Sequence, residues 1–176
     1  MPAASEVEVT ETTVSYTRVL PDAPLVGWEA EASGLDPALV CSRREIGTFA
    51  SAALHLQRWD VETPAGEVFS TTRLHAITPA DENSTHVFMR SSRNYALGKP
   101  AATERLTAFL AGVSQRDRAV LEMASAHSGY DGWRDGVEFQ ADLASLRLRR
   151  IVDDLLAQEA GPAGGHGLPP KGDYLA

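Results

Sequence analysis

Histidines and carboxylates are the side chains through which this chain could carry out chemistry. Only two lysines occur, Lys99 and Lys171, which argues against Schiff-base catalysis. The single cysteine, Cys41, excludes an intrachain disulfide, a zinc knuckle and an iron–sulfur cluster of the usual thiolate type. Acid–base catalysis therefore remains the most plausible chemistry for this composition. The chain has five histidines that could take part: His55, His75, His86, His127 and His166.

Asp117 occupies a place where an apolar residue is expected. Residues 101–126 have a period of about 3.6, and Asp117 falls on their apolar stripe between Val113 and Val120. A carboxylate there must be paired, hydrogen-bonded, protonated or facing a cavity. Two interpretations stay open, a pocket carboxylate facing a sheet and a salt bridge to a strand arginine. The candidate partners on the strands are Arg73, Arg90 and Arg93.

The first half of the chain must supply a sheet that positions these groups. Alternating and β-branched residues predict a long strand at 7–20 and strand structure over 38–61. The loop between them carries Trp28, which should fold against another part of the protein because an exposed tryptophan is unfavourable. A Pro–Gly turn is predicted at 63–66.

Two further segments, 67–77 and 84–95, predict a hairpin around the polar loop 78–83. The loop length suggests that Ile77 lies opposite Ser84. That register would place His75 opposite His86 and Arg73 opposite Phe88.

The second half of the chain predicts helices at 101–126 and 141–159. Strands followed by helices indicate an α+β fold with the helices on one face of a curved sheet. We expect one domain over residues 1–160 and a flexible Gly/Pro-rich tail over 161–176.

The net charge of −8 argues against a nucleic-acid partner, which would need a basic stripe. No apolar run reaches membrane-spanning length, and residues 1–10 are acidic and lack an apolar stretch. We therefore expect no signal peptide, no membrane association and a cytoplasmic protein.

Three segments together resemble the Rieske non-haem iron oxygenases, in particular the vanillate and dicamba O-demethylase type. They are LHAITPADENSTHVFMRSSRNYALGKP, SQRDRAVLEMA and ADLASLRLRRIVDDLLAQE, within a similarity over residues 14–159. The resemblance implies the C-terminal half of the catalytic domain. It further implies a helix-grip (START-like) fold, a curved antiparallel sheet wrapped over a long helix and enclosing a cavity.

The same resemblance implies that Asp117 matches the third ligand of the mononuclear iron and that His75 matches a substrate-contacting position. The chain lacks the cysteines and histidines that bind the Rieske cluster, and it lacks the closely spaced histidine pair that binds the iron. We therefore expect no metal, no cofactor and no oxygenase activity of the chain by itself. An alternative is a rearranged metal site of His75, His86 and Asp117.

The candidate catalytic residues are Asp117 and His75. His55 shares its strand parity with Phe49 and Trp59. The candidate substrate-binding residues are His55, Trp59, Arg73, His86 and Phe88.

The predicted function is a cofactor-free cyclase or isomerase of natural-product biosynthesis, acting on an apolar, polyketide-like molecule. An intramolecular cycloaddition is one such reaction. The alternative is a non-catalytic module that binds a hydrophobic ligand or assists a full-length Rieske oxygenase. A third interpretation is a fragment whose upstream sequence supplies the missing histidines. The trimeric packing of the family leaves a homo-oligomer open.

Overall fold

The computed structural model describes residues 5–81, 84–128, 139 and 142–160. The strands follow each other in space as they do in sequence, and each pairs antiparallel with the next. They are β1 (Ser5–Val9), β2 (Val14–Pro24), β3 (Val40–Ser51), β4 (Leu54–Glu62), β5 (Val68–Pro79) and β6 (Thr85–Arg93). The helices are α1 (Gly27–Ser33), α2 (Pro100–Ser128) and α3 (Leu143–Ala160).

The sheet is a curled, half-barrel sheet with the long helix α2 beside it, which confirms the predicted α+β, helix-grip fold. We call inner the face that carries Val14, Phe49, His55, His75 and Met89, which are Cα partners in one row across β2 to β6. The helices contact this face. α3 packs Ile151 with Val14, and Ser114 of α2 donates a hydrogen bond to the Met89 sulfur at 3.3 Å.

The predicted single strand at 7–20 is wrong, because a turn divides it into β1 and β2. The backbone N–H of Thr10 donates to the carbonyl oxygen of Thr13 at 2.9 Å. The hydroxyl of Thr10 accepts the N–H of Thr13 at 3.0 Å. Threonine side chains can hydrogen-bond to nearby backbone groups in place of the hydrogen bonds between strands. The β-branched residues at this turn therefore resemble a continuous strand in the sequence pattern.

The predictions for Trp28, for the 63–66 turn and for the two long helices are confirmed. The Trp28 ring stacks on Phe109 of α2 with ring centroids 4.9 Å apart. At the turn, the Gly66 N–H donates to Thr63 at 2.9 Å, and Gly66 has a φ of 84°, which favours glycine. The strand structure expected over 38–61 forms the hairpin of β3 and β4.

The β5–β6 hairpin is confirmed, but its predicted register is wrong. Ile77 pairs with Val87, and His75 pairs with Met89. The strands extend to Pro79 and Thr85, and the Ala80 N–H donates to the Ser84 carbonyl at 2.9 Å, so the connection is tighter than the sequence suggests. The difference is three residues, an odd number, which exchanges the two faces of β6.

A buried ion pair fixes α1 to the inner face. The Arg43 guanidinium donates to Glu29 Oε2 at 2.7 Å, and both side chains are buried. Glu29 also accepts the N–H of Val26 at the start of α1. Beside the pair, an apolar cluster unites α1 with β3 and β4. Its buried members are Leu25, Ala30, Cys41 and Val61.

Only the first half of α2 has the buried stripe that its period predicts. Ala102 and Leu106 are buried, whereas Val120, Leu121 and Met123 are more than half exposed. The sequence pattern predicts an apolar stripe along the whole helix, but it cannot show whether another element packs against it. Among the described residues, none buries the stripe of the second half.

Among the described residues, no helix is long and apolar enough to cross a membrane. The proposed tail at 161–176 lies outside the described residues, as does His166.

Candidate functional site

Two histidines stack on each other at the centre of the inner face. His55 of β4 and His75 of β5 are direct Cα partners, and their rings lie 5.6 Å apart at an interplanar angle of 12°. On its other side, His55 stacks on Phe49 at 4.3 Å. Because facing residues on neighbouring strands bring their side chains together, the β3–β4–β5 register creates this stack.

Burial favours the neutral form of both imidazoles. Burial is the largest cause that lowers the pKa of His55, followed by the charge of His75. Burial also lowers the pKa of His75, and the neighbouring Arg73 lowers it further. A neutral imidazole carries one nitrogen that donates a hydrogen bond and one that accepts a proton, so each ring of the pair can act as a base.

The Nε2 atom of His55 is buried and has no hydrogen-bond partner among the described residues. A buried polar atom without a partner costs free energy, and such atoms are uncommon in folded proteins. A bound molecule that supplied a donor or acceptor to this atom would relieve that cost.

A buried carboxylate, Glu45, lies beside the pair, and the sequence analysis missed it. Tyr16 donates its hydroxyl proton to Glu45 Oε1 at 3.2 Å, and the Gln57 amide donates to the same oxygen at 2.8 Å. Burial, followed by the charge of Glu45, raises the pKa of Tyr16 to about 12, so this phenol keeps its proton. Glu45 lies four residues before Phe49 on β3 and therefore on the same face of the strand, which could have identified it from the sequence.

Four of the predicted site residues share the inner face. His55, His75 and Arg73 lie together, since Arg73 is two residues from His75 and its charge lowers the pKa of both histidines. Trp59 lies on the same face, four residues along β4 from His55. Its indole N–H donates to Glu29 at 3.4 Å, so Trp59 contacts α1 rather than the histidine pair.

Asp117 projects from α2 within electrostatic reach of His75, and its charge raises the pKa of that histidine. The side chain is exposed, and no salt bridge to it is found in the described part of the chain. The salt-bridge interpretation with Arg73, Arg90 or Arg93 is therefore wrong. The interpretation of Asp117 as a pocket carboxylate facing the sheet stays a prediction.

His86 and Phe88 lie on the outer face, away from the histidine pair. Their Cα partners are Thr78 and Ala76, whose neighbours along β5 are the inner-face residues. Both side chains are exposed. The predicted juxtaposition of His86 with His75 is wrong, and the cause is the register shift.

The iron that the resemblance implies does not fit these residues. Within residues 5–81, 84–128, 139 and 142–160, no three His, Cys, Asp or Glu side chains converge closely enough to hold a metal ion. The rearranged site of His75, His86 and Asp117 is wrong, because His86 faces the other side of the sheet.

A small cavity lies beside α1, between the helix and the sheet. Its volume is about 20 Å³, and Trp28, Glu29, Trp59 and Tyr95 are among its lining residues. This is space for about one water molecule, so the cavity is too small for an organic substrate. A second, larger cavity of about 400 Å³ at the start of α2 is lined by Leu97, Gly98, Pro100, Thr103 and Glu104, and neither cavity is lined by His55 or His75.

The chain matches the family model for the vanillate O-demethylase oxygenase C-terminal domain over residues 1–158. Among solved structures it is similar to apo dicamba monooxygenase, with a TM-score of 0.74, 21% identity, and coverage of 89% of this chain and 50% of that chain. It is also similar to dicamba monooxygenase bound to 3,6-dichlorosalicylic acid, with a TM-score of 0.79, 21% identity, and coverage of 89% and 48%.

The chain thus spans about half the length of these structural relatives. A comparison with curated protein sequences finds no match. The match to the family model extends over β1 to α3 and includes both the histidine pair and Asp117. The chain belongs to the vanillate O-demethylase oxygenase C-terminal domain family.

Proposed function

We propose that this protein is a metal-independent cyclase or isomerase that acts on an apolar, polyketide-like molecule held between α2 and the inner face. The observation that carries the proposal is the stacked His55–His75 pair, with the buried His55 Nε2 atom that has no partner among the described residues and with the Asp117 carboxylate within electrostatic reach of His75. Imidazoles held in the neutral form can act as general bases.

In the proposed reaction, His75 takes a proton from a carbon next to a substrate carbonyl. The resulting enolate attacks a second carbonyl carbon of the same molecule, and one C–C bond forms while a C=O π bond breaks. The new alkoxide takes the proton back from the imidazolium. No electrons leave or enter the substrate, so the product is an isomer and no oxidant or reductant is needed.

Asp117 supports the charged form that arises during this transfer. Its carboxylate raises the pKa of His75 and would stabilise the imidazolium. Arg73, which lowers the pKa of both histidines, would stabilise the developing enolate oxygen instead.

Apolar side chains on the same face would hold the rest of the substrate. Phe49 and Tyr16 flank His55, and Met89 adjoins His75. Holding a flexible chain in a folded conformation removes part of the entropic barrier to ring closure. A reaction catalysed by shape alone, such as a cycloaddition, would use this contribution and no proton transfer.

The test is incubation of EDTA-treated protein with linear β-keto esters that carry a conjugated diene, followed by mass spectrometry. A cyclase or isomerase gives a product of unchanged mass. His75→Gln should lower the rate about 10²–10⁴-fold, whereas the control His86→Gln on the outer face should not. Products that gain oxygen or lose a methyl group would contradict the proposal, and binding without turnover would favour the non-catalytic alternative.

A further inference from the structure

Glu45 is a buried carboxylate that the proposed reaction does not use. Only 8% of the residue is exposed, and it accepts hydrogen bonds from side chains of two neighbouring strands. Tyr16 and Gln57 donate to Oε1 at 3.2 and 2.8 Å, and Arg18 donates to Oε2 at 3.4 Å. Because both carboxylate oxygens are bound, Glu45 is held in one orientation on the inner face.

The ring of Tyr16 lies over β3 because Gly47 leaves room for it. Tyr16 is the Cα partner of Gly47, and a Cβ at that glycine would overlap the ring. From there the hydroxyl reaches Glu45, which lies two residues before Gly47 on β3. Strand pairing thus fixes the backbone end of Tyr16, and the carboxylate fixes its hydroxyl end.

In this position the Tyr16 ring lies beside His55. The ring centroids of Tyr16 and His55 are 6.3 Å apart, and their planes differ by 21°. Phe49 stacks on the same imidazole at 4.3 Å and lies 6.4 Å from Tyr16. The plane of His55 in turn differs by 12° from that of His75. The aromatic neighbours of His55 therefore set the plane in which it meets His75.

Stacking takes the place of a hydrogen bond at one nitrogen of His55. A functional histidine is often oriented by a hydrogen bond from a ring nitrogen to a backbone carbonyl or a carboxylate. The Nε2 atom of His55 is buried and has no such partner among the described residues. Because the neighbouring rings hold the imidazole in place, Nε2 stays available for a carbonyl or hydroxyl group of the substrate.

We propose that Glu45 is a positioning residue for the His55–His75 pair and that it acts through Tyr16, whose ring it fixes against His55. The inference rests on the proposed function, because it concerns the same site. A second route from Glu45 to the pair is its charge, which raises the pKa of His55, whereas the charges of His75 and Arg73 lower it. That direct effect does not require the Tyr16 hydroxyl, so variants of the two residues separate position from charge.

The test is a set of variants measured by turnover of a linear β-keto ester with a conjugated diene and by NMR of the His55 ring protons. Tyr16→Phe removes one hydroxyl, and Glu45→Leu removes the acceptor. Each should lower kcat about 10- to 100-fold with little change in KM, because the imidazole stack is misplaced while the substrate contacts remain. The double variant should be no slower than the slower single variant, because both changes break the same link. The His55 signals should shift alike in all three variants.

Glu45→Gln removes the charge of Glu45 but keeps an acceptor. Its amide oxygen can still accept from Tyr16 and Gln57, and Arg18, with 32% of its side chain exposed, can turn to solvent. This variant should therefore recover much of the rate that Glu45→Leu loses. Its His55 pKa should nevertheless fall further, because the charge that raises it is gone.

Tyr95→Phe is the matched control, because it removes a hydroxyl that shares a hydrogen bond with Thr71 at 3.0 Å, beside the small cavity at α1. It should keep the wild-type rate and His55 signals. If Glu45→Leu fails to fold, the comparison of Tyr16→Phe with Tyr95→Phe decides. Tyr16→Phe with the wild-type rate and signals, effects that multiply in the double variant, or Glu45→Gln as slow as a folded Glu45→Leu would each overturn the proposal. A wild type without turnover would instead contradict the proposed function, and the His55 signals would still test the positioning.

Discussion

At the residue scale, two stacked imidazoles restrict each other's protonation. A proton on His75 opposes a proton on His55, and the charge of His75 is among the causes that lower the pKa of His55. The site therefore accepts one proton more readily than two. The proposed reaction needs a site of this kind, because one proton moves from the substrate to His75 and then returns to the product.

Asp117→Asn tests the residue assigned to stabilise that proton. Because the carboxylate is exposed and raises the pKa of His75, we expect the variant to have an unfolding free energy within about 0.5 kcal/mol of the wild type and a still lower His75 pKa. Thermal unfolding and NMR titration of the imidazole check both points. Glu104→Gln, also exposed on α2, is the control. A loss of about 3–5 kcal/mol would instead indicate a buried ion pair.

At the element scale, periodicity predicted the helices because 3.6-residue and two-residue spacing differ over many residues. It could not fix the register of β6, where Val87, Phe88 and Met89 are apolar on both faces and loop length was the remaining clue. The direct pairing of His55 with His75 depends on the length of the turn between β4 and β5, which strand periodicity does not encode.

The buried Glu29–Arg43 pair makes the attachment of α1 sensitive to a single charge. Glu29→Gln leaves the Arg43 guanidinium buried without its counter-ion, so we expect a loss of about 3–5 kcal/mol in unfolding free energy. Glu31→Gln on the same helix breaks an exposed pair with Arg105 and should cost at most about 1 kcal/mol. Chemical denaturation measures both. Equal losses would contradict a special role for the buried pair.

Gly47 of β3 is covered by the ring of Tyr16. A Cβ at this position would overlap the ring atoms, so Gly47→Ala must displace Tyr16 and should destabilise the fold by about 1–3 kcal/mol. Gly112→Ala on α2 meets open space and should stabilise the fold by about 0.5–1 kcal/mol. The denaturant midpoint should fall for Gly47→Ala and rise for Gly112→Ala. A tolerated Gly47→Ala would show that Tyr16 is not fixed over β3.

At the scale of the whole molecule, the histidine pair links stability to pH. Both folded-state pKa values are lowered, so the unfolded chain binds more protons between the ordinary value near 6.5 and the lower folded values. The contribution of the histidine pair to the unfolding free energy is fully present above pH 6.5. It is lost as the pH falls from 6.5 through the lower pKa values of the folded state.

Unfolding free energies measured from pH 7.5 to 5 should fall more steeply for the wild type than for His75→Gln. His86→Gln, an exposed site on the other face, should keep the wild-type slope. Identical slopes for the wild type and His75→Gln would show that the pair does not titrate differently on folding.

The lone thiol of Cys41 has a further consequence for how the protein can be studied. It is 1% exposed in the cluster between α1 and β3, and burial raises its pKa. A thiol-reactive alkylating reagent can therefore react with Cys41 only when this part of the molecule opens. Because the sequence has no second cysteine, the rate of mass increase with an alkylating reagent reports the opening of one defined region, without fragmentation or assignment. The same measurement on Glu29→Gln would separate local detachment of α1 from global unfolding.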